Sequence, residues 1–533
     1  MSDQRRRTNW ETWTVLILAA DISILAFFYC YHRGLILLYG DAEGHINIAR
    51  RVFDSRTPGP LQLGTVWLPL PHLLMMPFLI SDWAWRTAIG GSIPSMVAYV
   101  LAALGIFRLV RSSLGSVGKF AAWFAVLIFA GNPSLIYLQA TAMTEPLYLA
   151  LFIWAMVYLA EFARSLRDGN SYAARRSLFR CGAALAACTM TRYDGWIAMA
   201  SVAAVDLVIA FRFRKSTEAR ELRKPLAGFL AVCAAGPVFW LSYNAAIYRN
   251  PLEFANGPYS AKAIEHRIPQ ASHPGTNDPI VAELYFVHAV EMNLASDTTL
   301  AKFWLLLAAA GTVVALRRGA WPLLLLWIPL PFYALSIAYS GVPIFVPDWW
   351  PFGQYNLRYG LQLLPAVAVF SAAAVDAVLA AVPHRFQAGL AAAAIVLVLW
   401  TSAHTATTPA SFLEANKNMQ GRVALQERLA VELAKLPPNS SILMAIRDFP
   451  GAPQRAGVPL RRLINENDMP PLRRQGDDHG LWTDALKNPP QFVDYAVGFA
   501  GDPVDASAIG HHLPAIFSLE VPGQPHATLY RTR

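Results

Sequence analysis

The chain has 533 residues, of which 55% are hydrophobic and only 15% charged, with a mean hydropathy of +0.35. Soluble proteins carry about 25% charged residues, so this composition argues against a soluble enzyme and for a polytopic membrane protein. The formal net charge of +9 does not indicate a nucleic-acid partner, because the basic residues gather in short loops between apolar runs, where they act as orientation signals.

A helix that crosses ~30 Å of hydrocarbon needs ~20 apolar residues. About eleven runs fit that requirement: 13–35, 88–110, 118–138, 145–163, 178–193, 196–212, 226–247, 302–316, 320–340, 360–381 and 388–407. The first follows Arg5-Arg6-Arg7 and lacks a small-residue cleavage site, so it is expected to stay as an anchor. The fifth and sixth are short and separated only by Arg192 to Gly195. Cys30, Cys181, Cys188 and Cys233 all lie in apolar segments, which implies neither a disulfide framework nor a zinc site.

Directly after the first run comes Gly40-Asp41-Ala42-Glu43-Gly44-His45, continuing to Arg50-Arg51. Charge where a chain leaves a bilayer is costly unless it lines water or a substrate. Residues 41–56 read as a short amphipathic helix along the membrane surface. Residues 66–80, broken by Pro69, Pro71 and Pro77, read as a second interfacial or re-entrant segment. Further on, Gly131-Asn132-Pro133-Ser134 and Thr144-Glu145-Pro146 share one loop, Thr191-Arg192-Tyr193-Asp194-Gly195 forms a tight turn, and Asn356-Leu357-Arg358-Tyr359 precedes the tenth run.

The Lys and Arg residues alternate between loops. Arg5 to Arg7, Arg108 to Lys119, Arg164 to Arg180, Arg212 to Lys224, Arg317-Arg318 and Arg385 fall on one side, which the positive-inside rule makes cytoplasmic. The opposite, extracytoplasmic side then carries every motif above and everything after about 408. The expected architecture is an α-helical polytopic membrane domain, 1–408, with interfacial helices at 41–80, followed by a small extracytoplasmic α/β domain, 409–533. In the latter a helix over Val423 to Lys435, strands at 441–446 and 492–497, a helix at 482–486 and a terminal hairpin at 515–521 and 526–530 are predicted.

The residues alone leave two readings for each motif. Asp41, Glu43 and Glu145 either serve chemistry, as a general base or a cation or metal site, or stabilise helix N-termini. Two carboxylates do not specify a metal, so a divalent ion at Asp41 and Glu43 stays open and the residues point to no particular cofactor. Arg192 either pairs with Asp194 or holds a phosphate through paired hydrogen bonds. Arg358 at a helix start has the unfavourable sign for the dipole, which either a bound anion or snorkelling to headgroups would relieve. His72, among prolines and leucines, reads as a structural histidine. Asp21, Asp206 and Asp376 lie inside runs and are expected to bond between helices.

Taken together, these motifs resemble the GT-C superfamily of membrane glycosyltransferases, and within it the protein O-mannosyltransferase and lipid A aminoarabinose transferase group. The likeness lies in the acidic motif after the first span, the second segment around Trp67 to Phe78, the carboxylate at Glu145, and the Arg192 to Gly195 and Asn356 to Tyr359 turns. It covers roughly residues 10–405. There are departures: the acidic pair is Asp-Ala-Glu, and Leu-Pro-Leu-Pro-His stands where many relatives have Lys-Pro-Pro. The resemblance implies inverting transfer of a sugar from a polyprenyl-phosphate donor to a lipid, glycan or protein acceptor at the outer face. Asp41 would be the base. Arg358, Arg192, His45 and Arg50 would hold the donor phosphate, and Glu43, Glu145 and Asp194 would position the acceptor or a cation. The alternatives are a transporter or lipid flippase using Asp21, Asp206 and Asp376, a polysaccharide polymerase or ligase, or a non-catalytic assembly protein. The first predicts inverted repeats, and the sequence shows no such symmetry.

Overall fold

The computed structural model describes residues 2–114, 119–212, 221–258, 260, 261, 263, 273–468 and 480–533. Part of the basic loop expected between Arg212 and Lys224 lies outside them. Among the described residues nine helices are long and apolar enough to cross a membrane: Trp10–His32, Ile89–Ser113, Glu145–Arg167, Asp194–Arg212, Arg223–Tyr248, Thr298–Arg317, Trp321–Tyr339, Leu357–Ala381 and His384–Leu433. The outer faces of the first and last carry exposed Trp13, Leu25, Val396 and Trp400, side chains that water would not tolerate in such density. The chain is an integral membrane protein.

All eleven predicted runs are helical, but two fall short as spans for local reasons. The run at 118–138 breaks into Lys119–Ala130 and Pro133–Gln139, bent by 63°. The break comes from Asn132, whose side chain caps the second helix by accepting from the Leu135 amide at 3.0 Å, with Pro133 at its first position. Counted as one span, the bent pair makes ten. The run at 178–193 belongs to Ser171–Thr189, which carries Arg175, Arg176 and Arg180 in its first half and packs against Glu145–Arg167 and Arg223–Tyr248. The three aspartates inside the predicted runs also divide. Asp376 pairs with Arg318 at 2.9 Å and Asp206 accepts from Cys181 at 3.6 Å, whereas Asp21 is exposed rather than bonded between helices.

At the end of the bundle with the longer loops lie Gly40–Arg51, Leu70–Leu79 and Asp82–Arg86. The C-terminal sheet has strands β1 (Ile442–Met444), β2 (Leu463–Ile464), β3 (Tyr495–Phe499), β4 (Ala515–Leu519) and β5 (Ala527–Arg531) in the order β2-β1-β3-β5-β4. Strand β1 runs parallel to β2 and β3, and β5 is antiparallel to β3 and β4. The predicted helix over Val423 to Lys435 starts earlier, as Ala410–Leu433. This matters for the site, because its first turns sit against the bundle.

Sheet and bundle are joined through the first loop. Asn47 donates to Gln454 at 2.8 Å and accepts from the Trp85 indole at 3.1 Å, while Gln454 donates to the Trp85 carbonyl at 2.8 Å. Glu43 is buried on Arg455 at 2.5 Å and on Gln426 at 2.9 Å, and Asp54 pairs with Arg461 at 2.9 Å. Buried polar networks of this kind fix one arrangement of the parts they join, since slippage leaves further buried groups unpaired.

Candidate active site

Helix Gly40–Arg51 turns by about 100° per residue, so Asp41 and His45 share one face. Both line a cavity of about 900 Å³ together with Glu145, Arg192, Asp194 and Arg358. Six of the eight predicted site residues therefore converge there from sequence positions more than three hundred residues apart.

Two guanidiniums organise the polar end. Arg358 sits in the 3₁₀ turn Leu357–Leu363 that opens a membrane span, after Asn356 in the left-handed conformation. Each of its three nitrogens meets a different carboxylate: Nη2 to Asp41 at 2.6 Å, Nε to Glu145 at 3.2 Å, Nη1 to Glu414 at 2.6 Å. Arg192 donates to Glu145 at 2.9 Å, to Asp194 at 3.1 Å and to the Tyr333 hydroxyl at 3.1 Å, and that hydroxyl donates to Asp194 at 3.0 Å. The Tyr359 ring lies between them, 5.0 Å from the Arg192 guanidinium carbon and 5.2 Å from that of Arg358. Glu145 thus bridges both cations. The Arg192–Asp194 pair expected as a bland alternative does form, but as one arm of this network.

Exposure separates the carboxylates. The side chains of Glu145, Glu414 and Asp194 are 1%, 2% and 5% exposed, whereas that of Asp41 is 41% exposed. Asp41 is the carboxylate that a ligand in the cavity can reach. Glu414 also accepts the backbone amides of Asn356 at 2.9 Å and Arg358 at 3.1 Å. The positive end of this helix and the Arg358 cation are therefore offset by the protein itself, and not by the bound anion or lipid headgroup expected from the sequence. Thr144, at the start of Glu145–Arg167, makes no cap bond and accepts from Arg192 at 3.3 Å.

The rest of the wall is apolar. Ile197 of Asp194–Arg212 and Ile328, Pro331, Phe332, Leu335 and Tyr339 of Trp321–Tyr339 line it, so a charged rim runs into an oily groove between membrane helices. On the other side His45 meets His72, Nδ1 to Nε2 at 2.9 Å, and packs against Trp67 with ring centroids 4.5 Å apart. Burial lowers the pKa of His45 to about 4, against an upward pull from Asp41 and Glu145, and lowers that of His72 as well.

Two predicted site residues stand elsewhere. Glu43 lies about 200° around the helix from Asp41 and is taken up by Arg455 and Gln426. Arg50 is buried on Asp54 at 2.8 Å, on the Leu79 carbonyl at 2.6 Å and on Asp82, under the Trp85 ring, so it is placed to hold this loop rather than a donor phosphate. Because Asp41 and Glu43 point apart, they do not form the divalent-metal pair left open by the sequence. Among the described residues no three His, Cys, Asp or Glu side chains converge as metal ligands. Sequence reasoning missed Glu414 and Tyr333. Tyr333 carried one signal, a phenol inside an apolar run; Glu414 carried none.

A bundle of this form, with an acidic first loop folded over a cavity at its loop-bearing end, has the fold of the GT-C membrane glycosyltransferases. It is similar to the crystal structure of ArnT from Cupriavidus metallidurans bound to undecaprenyl phosphate, at 14% identity over 97% of this chain and 98% of that one, with a TM-score of 0.59. The apo state of the same protein matches at 16% identity over 98% of each chain and a TM-score of 0.58. The oligosaccharyltransferase AglB from Archaeoglobus fulgidus, with an inhibitory peptide and a dolichol-phosphate, matches at 12% identity over 98% of this chain and 74% of that one, with a TM-score of 0.45. No protein-family model matches the sequence, and no curated protein matches it.

Proposed function

We propose that this protein transfers a sugar from a polyprenyl-phosphate donor to an acceptor at the extracytoplasmic face of the membrane, with inversion at the anomeric carbon. The observation that carries this reading is the junction of a guanidinium–carboxylate network with an apolar groove in one cavity. An isoprenoid phosphate has that same division: a chain for the groove and an anion for Arg358 and Arg192. The ArnT structure of like fold, which holds undecaprenyl phosphate, supports a carrier of this class. The sidedness rests on the alternation of Lys and Arg between loops.

In this reading the donor phosphate takes Arg358 Nη2 from Asp41 and so frees the carboxylate. Asp41 then accepts the proton of an acceptor hydroxyl, or orients an acceptor amine, as that oxygen or nitrogen attacks the anomeric carbon. The bond from that carbon to the phosphate oxygen breaks, and the two guanidiniums offset the charge left on the phosphate. Glu145 holds the guanidiniums at a fixed separation. The C-terminal α/β region packs on the first loop, and in this reading it meets the acceptor.

The test is incubation of purified protein with a panel of polyprenyl-phosphate sugars and a cell-envelope extract as the source of acceptor, reading release of free carrier. Asp41→Asn is expected to lower transfer by about 10²–10⁴-fold, the usual contribution of a positioned base, with folded yield retained. Full activity in that variant removes Asp41 from the mechanism. No release from any donor by the wild type removes the transferase reading.

A further inference from the structure

His45 and His72 form a contact that the reaction above leaves without a role. His45 is one helical turn from Asp41 on the cavity face. His72 lies behind it in Leu70–Leu79, fully buried and outside the cavity lining. With nitrogens 2.9 Å apart, one ring must donate to the other. The tautomer can be assigned, because the far nitrogen of His72, Nδ1, is buried without a partner. If His45 Nδ1 carried the shared proton, His72 would hold its own proton on that sealed Nδ1, leaving an orphaned N–H. If His72 Nε2 carries it, only a lone pair is left unpaired, the milder cost. The second arrangement puts the remaining proton of His45 on Nε2. Among the described residues Nε2 has no protein partner and is not a sealed atom. Asp41 and Glu145 favour positive charge at His45 while Arg358 and Arg192 oppose it, so the sealed Nδ1 of His72, and not the field, decides the tautomer.

We propose that His72 is a positioning residue that fixes His45 as a neutral Nε2–H donor into the cavity, where it hydrogen-bonds an oxygen of the lipid-phosphate donor. That oxygen belongs either to the phosphate or to the sugar. The inference rests on the transferase reading for its ligand, but on geometry alone for its tautomer. Gly44 and Trp67 complete the device. A Cβ at Gly44 would lie 2.9 Å from the Trp67 ring, so only glycine lets the indole press His45 toward His72. Both rings stay neutral, so this donor does not compete with Asp41 for the acceptor's proton.

The experiment measures affinity of the full chain in detergent for two probes, undecaprenyl phosphate and an undecaprenyl-phosphate hexose that the transfer assay accepts. His45→Leu is expected to weaken binding by about tenfold, the scale of one hydrogen bond to a charged or strongly polar oxygen. His45→Gln keeps an N–H and should lose less. His72→Leu should weaken binding as His45→Leu does. His72→Gln, which still donates to Nδ1, should recover most of it at equal folded yield. Weakening for both probes assigns the contact to the phosphate; weakening for the hexose alone assigns it to the sugar. Nitrogen-15 spectra of histidine-labelled protein should show His45 with its proton on Nε2, and a mixture of tautomers in His72→Leu. Equal affinity in His45→Leu and wild type overturns the contact. A proton on Nδ1 of His45, or equal behaviour of His72→Leu and His72→Gln, overturns the positioning role. Failure of the wild type to bind either probe removes the transferase reading instead, and the nitrogen spectra still decide the tautomer.

Discussion

Replacing Arg358 with lysine keeps the charge and removes the fork. An ammonium is a single point of charge, whereas the guanidinium nitrogens reach three carboxylates that approach from three directions. Lysine can serve one of them well, so about two charge-assisted bonds are lost, each worth about 1.5–3 kcal/mol. The structure cushions part of that. Glu414 keeps its two backbone amides, Glu145 keeps Arg192, and Asp41 is open enough to be hydrated. The expected cost is therefore at the lower end, about 3 kcal/mol, a large share of the usual 5–15 kcal/mol margin of a folded domain. Thermal unfolding of detergent-purified Arg358→Lys should show a lowered midpoint, and carrier release should fall because the phosphate loses its paired donor. Adding Glu414→Gln to Arg358→Lys should recover part of the midpoint, since it removes a charge that lysine cannot serve. A wild-type midpoint with full transfer in Arg358→Lys would mean that charge alone, without the three-way fork, organises this site.

Three further outcomes follow from the same contacts. Glu43→Ala strands the mostly buried Arg455 and should cost about 3–5 kcal/mol, whereas Glu43→Leu with Arg455→Leu should recover part of that, short of wild type because the buried Gln426 amide loses its acceptor; thermal midpoints of the single and double variants check this. His45 is held well below its ordinary pKa, at about 4, by burial. The unfolded chain therefore binds a proton between about pH 6.5 and 4 that the folded chain does not, and stability falls as pH drops through that window. His45→Gln should flatten this part of the unfolding–pH curve, and an unchanged slope would assign the acid sensitivity to other groups. A methyl group at Gly360 would meet the Ala289 carbonyl at 2.4 Å. Gly360→Ala should thus push the turn bearing Arg358 away from Pro279–Leu294 and reduce carrier release more than a surface substitution does.

What could be read from the sequence, and what could not, divides along physical lines. Apolar runs long enough to span hydrocarbon locate the helices whatever they pack against, so all eleven were visible. Whether each crosses depends on local chemistry, such as Asn132 and Pro133 bending one run and three arginines in another. Motifs that end spans on one side of the bundle had to lie at one depth, which brought Asp41, Glu145, Arg192, Asp194 and Arg358 within reach of each other. Their pairing was not readable, because it depends on helix order around the bundle. Glu414 shows the limit: it comes from a polar helix assigned to another domain, 56 positions from Arg358, with no motif around it.

The eight expected site residues also carried information that their charges hid. On a helix with 3.6 residues per turn, Asp41 and His45 lie about 40° apart, while Glu43 lies about 200° and Arg50 about 180° from Asp41. An acidic, basic cluster in sequence is thus two clusters in space. One face of Gly40–Arg51 looks into the cavity, and the other is clamped by Arg455, Gln426, Asp54 and Asp82. The clamp is what allows the first face to work. A twelve-residue helix has little stability of its own, and a base on a rocking helix would lose the alignment on which the proposed attack depends. On the proposed reaction, Glu43 and Arg50 would serve Asp41 through the rigidity they confer and not through contact with a substrate.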